Sequence, residues 1–224
     1  MGVEPTPADR PGRSSRSRRQ LDNPVGAGGS SDDEIYDRYL QKAIKEINEL
    51  GDEISRAADE LTPVLGSGHP LADVFMLKWS PRRSEEQEGV AFFGRAGQAV
   101  LKSIDRLRVD PMKLYGTLCV KADAEPTEDD IEHARQWLTR EMHIVQPAMI
   151  VSMGEPALDF LNGLEFPLSR PIAYKPGEIQ RWTPSIEVLP VPDIDSSLNE
   201  ADAKQQFWTA FKVLGEWYEN LPPY

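Results

Sequence analysis

The sequence predicts a three-layer α/β/α sandwich around a central, mostly parallel four-stranded sheet. Three observations carry this. Four short apolar segments alternate with segments of helical periodicity, the pattern of a parallel sheet covered by helices. The apolar segments run almost unbroken, as strands buried on both faces require. The 224 residues suit one medium-sized domain behind a polar head.

Residues 1–31 are rich in Pro, Gly, Ser and Arg and offer little to bury, so they are expected to be a disordered tail ahead of a domain at 32–224. The RSSRSRRQ stretch in that tail reads as a basic arm for nucleic acid or an acidic partner protein, or as a solubilising tail. Ser31 is expected to cap a long helix, with Asp32, Asp33 and Glu34 at the positive end of its dipole. Ile35, Tyr39, Leu40, Ala43, Ile47 and Leu50 recur along it at helical spacing. Gly51 interrupts or ends this helix, and Ile54, Ala57, Ala58 and Leu61 suggest a further turn or two.

Residues 73–79 read as the first core strand, and 97–109 as a helix with Val100, Leu101, Ile104 and Leu107 on one side. Residues 115–121 form the second strand. Thr127 with Asp130 then opens a helix that runs to about Ile144. A third strand at 148–153 leads to a short helix at 155–161 with Pro156 in its first turn. Residues 172–182, bent by Pro176-Gly177, suggest irregular strands, and 186–191 supply the fourth core strand. Residues 199–220 close the chain as one amphipathic helix carrying Phe207, Trp208, Phe211, Leu214 and Trp217. Ligands in such folds sit at the carboxyl ends of the strands.

Charge is divided unevenly. Residues 1–20 carry five arginines against Glu4 and Asp9, a net of +3, which leaves −15 on the remainder of a chain whose total is −12. An acidic body weakens nonspecific affinity for nucleic acid. No run of about 18 apolar residues suggests a membrane span. The head lacks the apolar core of a secretory signal, so the cytoplasm is the expected compartment. Cys119 is the single cysteine, which excludes an internal disulfide and leaves too few thiolates for a metal cluster. His69 and His133 lack the spacing of a metal site and read as surface or loop residues, so no metal and no cofactor are expected.

Residues 73–97, DVFMLKWSPRRSEEQEGVAFFGRAG, read as a strand, a polar loop, an exposed-looking Phe pair and a Gly-flanked helix start. The ending GVAFFGRAG resembles the GRPFVGRAG of the uracil-DNA glycosylase superfamily, closest to its iron–sulfur, family 4 type branch. Residues 115–121, YGTLCVK, resemble that branch's YVTNVVK strand. Residues 126–131, PTEDDI, with Trp137-Leu138, resemble PTPEEI…CRPWL. Residues 145–154, VQPAMIVSMG, continued by Ala157-Leu158, resemble VRPRVIVALG, and 66–70, GSGHP, resemble the GEGNP turn. These segments keep their order from about 61 to 208.

The resemblance implies a DNA-repair scaffold that flips a base out of the duplex. An aromatic ring stacks on the base, an Asn reads its edge, an acid or Asn positions water at the sugar, and a distal His stabilises the departing base. Phe92 falls at the stacking position, or alternatively packs in the core. Elsewhere the pattern is broken. The family's GEAPG is Lys78-Trp79-Ser80-Pro81-Arg82 here, which puts Trp79 at the acid and Lys78 at the preceding glycine. Leu118 stands at the base-reading Asn. Counting back from Trp208 places Asp193-Ile194-Asp195 where the family has His-Pro-Ser, and no His follows His143. Positions matching the cluster cysteines include Ala122 and Ala134, so no cluster is expected.

Three functional readings stand side by side. The first is a degenerate superfamily member without efficient uracil excision that retains binding to a nucleobase, DNA or a protein partner. The second is an active DNA glycosylase of altered base preference, with Asp193 or Asp195 as general base. The third is an interaction module built on the Arg-rich tail and the acidic body. Lys78 reads as a Schiff-base nucleophile or as a solvated charge at a strand end. Trp79 either plugs the old pocket beside Leu118 or lines an aromatic slot with Phe92.

Overall fold

The structure, a computed structural model, describes residues 31–58, 62–122 and 126–221. The expected tail over 1–31, with its RSSRSRRQ stretch, lies outside the described residues except at Ser31, where the first helix begins; Leu61 also lies outside them.

Among the described residues, six strands form one sheet: β1 (Ser67–Gly68), β2 (Val74–Lys78), β3 (Leu114–Leu118), β4 (Met149–Met153), β5 (Gln180–Arg181) and β6 (Glu187–Val191), in the order β1-β3-β2-β4-β6-β5. The four inner strands are parallel and correspond to the four expected from sequence. The outer two are two-residue antiparallel additions, and β5 is all that forms of the irregular strands expected over 172–182.

Among the described residues, eight α-helices accompany the sheet: α1 (Ser31–Ala57), α2 (Arg83–Glu88), α3 (Arg95–Arg106), α4 (Glu128–Val145), α5 (Glu155–Asn162), α6 (Ile194–Ser197), α7 (Ala201–Phe211) and α8 (Val213–Glu219). The period-2 alternation of strand side chains divides the core into two layers. Phe75, Leu77, Ile150 and Val188 pack toward α4 and α5, with Ile47 of α1 at the margin. Val74, Met76, Met149, Val151 and Leu189 pack toward α3, α7 and α8 on the opposite face. The predicted α/β/α sandwich is the architecture observed.

The start of α4 forms as its sequence dictates. The Thr127 Oγ1 accepts from the Asp130 backbone N–H, and the Asp130 carboxylate accepts from the Thr127 N–H at 2.9 Å, so two otherwise unpaired donors are satisfied. The Thr127 hydroxyl, 2.7 Å from the same carboxylate, and then the Thr127 N–H hold the Asp130 carboxyl below its usual range.

Several elements differ from expectation, each for a local reason. Gly51 does not end α1, because Leu50 and Ile54 on either side of it are buried and that packing outweighs the propensity cost of one glycine. The stripe on α1 is buried only at Ala43, Leu50 and Ile54, while Ile35 and Tyr39 near its start are exposed. Leu101 also faces outward, unlike Val100 and Ile104. The closing helix is not continuous: α7 ends at Phe211 and α8 restarts after Lys212, setting Gly215 against the Leu107 side chain. Finally, the stretch read as a polar loop contains α2, which is central to the cleft below. No helix among the described residues is long and apolar enough to cross a membrane.

Candidate active-site cleft

The parallel register aligns the ends of the core strands. Leu118, Lys78, Met153 and Val191 lie side by side across β3, β2, β4 and β6 at the carboxyl edge. Beyond that edge opens a cleft of about 440 Å³, lined by residues that follow three of these strands and by Tyr174. Lys78, Trp79 and Arg82 come from the end of β2, Gly154 and Glu155 from β4, and Asp193 and Asp195 from β6. This is where the parallel-sheet rule places a ligand.

Lys78 is not the solvated charge considered from sequence; it is 1% exposed. Its ammonium donates to Glu85 Oε2 at 2.6 Å and to Asp195 Oδ2 at 2.8 Å. Arg82 Nε adds a second cation 3.3 Å from the same Asp195 oxygen. The buried Lys78 ammonium thus neutralises Glu85 and Asp195 at the strand edge, as buried charges must be paired. The largely exposed Arg82 guanidinium balances the remaining charge from the solvent side.

Glu85 organises this cluster. It is fully buried in α2, and its Oε2 also accepts from the Arg82 backbone N–H at 2.7 Å, while Oε1 accepts from the Phe92 N–H at 2.6 Å. The carboxylate therefore joins β2, the first turn of α2 and the segment leading to α3. Sequence reasoning missed it, yet a signal was present: Pro81 ahead of an acidic pair and Gly89 behind it are helix punctuation. Gly89 adopts φ 67° and closes α2 with its N–H on the Glu85 carbonyl.

Of the Phe pair, only Phe93 is well exposed; Phe92 is half-buried. Phe92 holds a left-handed φ of 60°, which costs a non-glycine residue of order 1 kcal/mol. The Glu85 bond fixes that turn, and the ring lies against Gly116, where a Cβ would come within 2.6 Å of it. The Lys78 ammonium sits 5.7 Å from the ring centroid. Leu118 is fully buried in a small apolar cluster with Val64, Ala91 and Phe92.

The structure thus brings Lys78, Trp79 and Asp193 to the cleft and sets Phe92 and Leu118 behind it, with Lys78 touching both regions. Trp79, one residue past the strand end, turns to the opposite face and meets Phe160 edge-on at 5.8 Å. It forms a wall of the open cleft. No Trp79–Phe92 slot forms.

Asp193 caps α6: its carboxylate accepts from the backbone N–H groups of Asp195 and Ser196 and from the Ser196 hydroxyl at 2.7 Å. Burial first, then the carboxylates of Glu155 and Asp193, raise the Tyr174 phenol, which lines the cleft, above its ordinary value.

An iron–sulfur cluster does not fit these residues. Burial pushes the Cys119 thiol well up, away from the thiolate a cluster needs, and its sulfur faces the Ala157 carbonyl at 3.9 Å. Positions 122 and 134 are alanines. Among the described residues, no group of three or more His, Cys, Asp or Glu is placed to hold a metal ion.

Comparison with known proteins agrees with this architecture. Residues 65–214 match the Uracil DNA glycosylase superfamily. The chain is 25% identical to the Type-4 uracil-DNA glycosylase of Archaeoglobus fulgidus over 160 residues, which is 68% of this chain and 80% of that protein. It is 28% identical over 103 residues to the Type-4 uracil-DNA glycosylase of Sulfurisphaera tokodaii, covering 44% of this chain and 47% of that protein. The corresponding enzyme of Saccharolobus solfataricus is 27% identical over 103 residues, 44% of this chain and 48% of its own.

Proposed function

The chain belongs to the uracil DNA glycosylase superfamily, and from that premise we propose that it is a DNA-binding member that does not excise uracil efficiently. The observation that carries this reading is the buried Lys78–Glu85–Asp195 cluster at the end of β2. Where the family brings glycine backbone close to its ligand, this chain places a lysine side chain tied to two carboxylates.

The surrounding positions support the same reading. Trp79 offers no carboxylate to orient water, and a positioned acid or base contributes about 10²–10⁴-fold. Leu118 offers neither donor nor acceptor, so the polar edge of a buried uracil would lose its partner. A site built around such a bond discriminates by about 10⁴–10⁵, and that is what the substitution removes.

The reading with Asp193 or Asp195 as general base draws no support from their surroundings. Asp193 is committed to capping α6, and Asp195 Oδ2 is shared between Lys78 and Arg82. Lys78 itself, held as a paired ammonium between two carboxylates, lacks the free lone pair of a Schiff-base nucleophile.

The test is incubation of the full chain with uracil-containing DNA, followed by cleavage at abasic sites. We expect no strand cleavage above a protein-free control, while the same DNA is bound at low salt. Robust cleavage that survives Trp79→Ala overturns the proposal. Release of a different damaged base, abolished by Asp193→Ala, is what the altered-preference reading requires.

A further inference from the structure

We propose that the groove between α3 and α7 is a track for a DNA phosphate backbone, continuous with the cleft; this rests on the DNA-binding reading above. The groove has a volume of about 290 Å³, and its cations are Arg95, Lys102, Arg106 and Lys204, all exposed. Arg95, Lys102 and Arg106 recur at spacings of seven and four on one helix, so they share a face. At 1.5 Å per residue they span about 16 Å, the axial length of roughly five base-pair steps. Lys204 stands on α7 across from them.

The acids of the same helices, Asp105 and Asp202, are not among the groove's lining residues. Among the described residues none of the four cations forms an ion pair. Arg95 donates to the Asn199 side chain at 3.2 Å, and Arg106 lies 5.8 Å from the Trp208 ring centroid. In a chain of net charge −12, a row of unpaired cations facing solvent concentrates the attraction for an anion in one place.

Continuity selects a nucleic-acid strand over a small anion. A depression of about 400 Å³ joins the two sites: it shares Arg82 and Asp195 with the cleft, and Arg95 and Leu198 with the groove. Phe93, exposed at 45%, stands in that connecting depression as an apolar face on which a base can stack. A backbone held by the α3 cations would therefore lead toward the carboxyl edge of the sheet.

The test uses the full chain, a fluorescein-labelled DNA duplex and anisotropy across about 50–200 mM salt. Each phosphate contact contributes about 0.9 to the slope of log affinity against log salt. The triple variant Lys102→Gln/Arg106→Gln/Lys204→Gln should weaken binding irrespective of sequence and reduce the slope by about 2–3. The triple variant Arg38→Gln/Lys42→Gln/Lys45→Gln, with the same charge change on exposed α1, should leave the slope unaltered. Thermal unfolding of both variants checks that each is folded. The proposal falls if the α3/α7 variant keeps the full slope, or if both variants lower it equally. A wild-type chain that binds no DNA removes this proposal and the DNA-binding reading together. Wild-type binding that the α3/α7 variant retains removes the track alone.

Discussion

Lys78 shows how much one side chain can carry when it ends a central strand. Its ammonium balances Glu85 and Asp195, which lie seven and 117 positions away in sequence. Removing the cation while leaving both carboxylates breaks a buried pair from one side, which typically costs about 3–5 kcal/mol. Lys78→Met should therefore lower stability to urea by about that amount. Lys42→Met, which removes an exposed pair with Glu46 at 3.7 Å, should change it by less than about 1 kcal/mol. Equal effects in the two variants would show that the cluster contributes nothing to stability. Sequence alone could not reveal this: a lysine at a strand end has no visible partner until the fold brings α2 and the start of α6 to the end of β2. That Trp79 and Leu118 stand at the ends of core strands was legible in the apolar runs. Their directions were not, because a one-residue step past a strand end reverses the face a side chain meets.

At the scale of elements, sequence was most legible where local chemistry dictates structure. Thr127 and Asp130 cap α4 as their spacing predicts, and the four apolar runs became the four parallel strands. It was least legible where tertiary packing decides, as at Gly51 inside α1 and at the Lys212 break between α7 and α8. Two glycines separate local from tertiary effects. Both lie in helices, where Ala is favoured over Gly by about 1 kcal/mol. At Gly51 a Cβ meets only the flexible end of Leu65 at 3.2 Å, so Gly51→Ala should be neutral or stabilising. At Gly97 a Cβ would collide with the Phe92 carbonyl oxygen, in a segment already pinned by Glu85. Gly97→Ala should therefore destabilise by about 1–3 kcal/mol despite its helix propensity, as overpacking does. Thermal denaturation of the two variants measures the contrast, and a stabilised Gly97→Ala would refute the close approach.

At the scale of the molecule, the two helical layers pack on opposite faces of one sheet. Phe75 and Leu77 face one layer while Val74 and Met76 of the same strand face the other, and β4 divides in the same way at Ile150 and Val151. Loss of either layer would expose one face of a sheet whose inner strands are apolar on both. At about 25 cal/mol per Å² of apolar surface, that exposure exceeds what a half-structure can sustain. The layers should therefore unfold together, in a single cooperative transition. Trp182 is buried in the α4–α5 layer and Trp217 packs against the α7–α8 layer, so the chain carries a reporter in each. With 5-fluorotryptophan incorporated, the five tryptophans give separately followed resonances in a urea titration. The Trp182 and Trp217 midpoints should coincide. Earlier loss of Trp217 would instead mark α7–α8, and with it one wall of the proposed backbone track, as a separately unfolding unit. In that event DNA affinity would fall in parallel with the Trp217 signal, before the rest of the sheet opens.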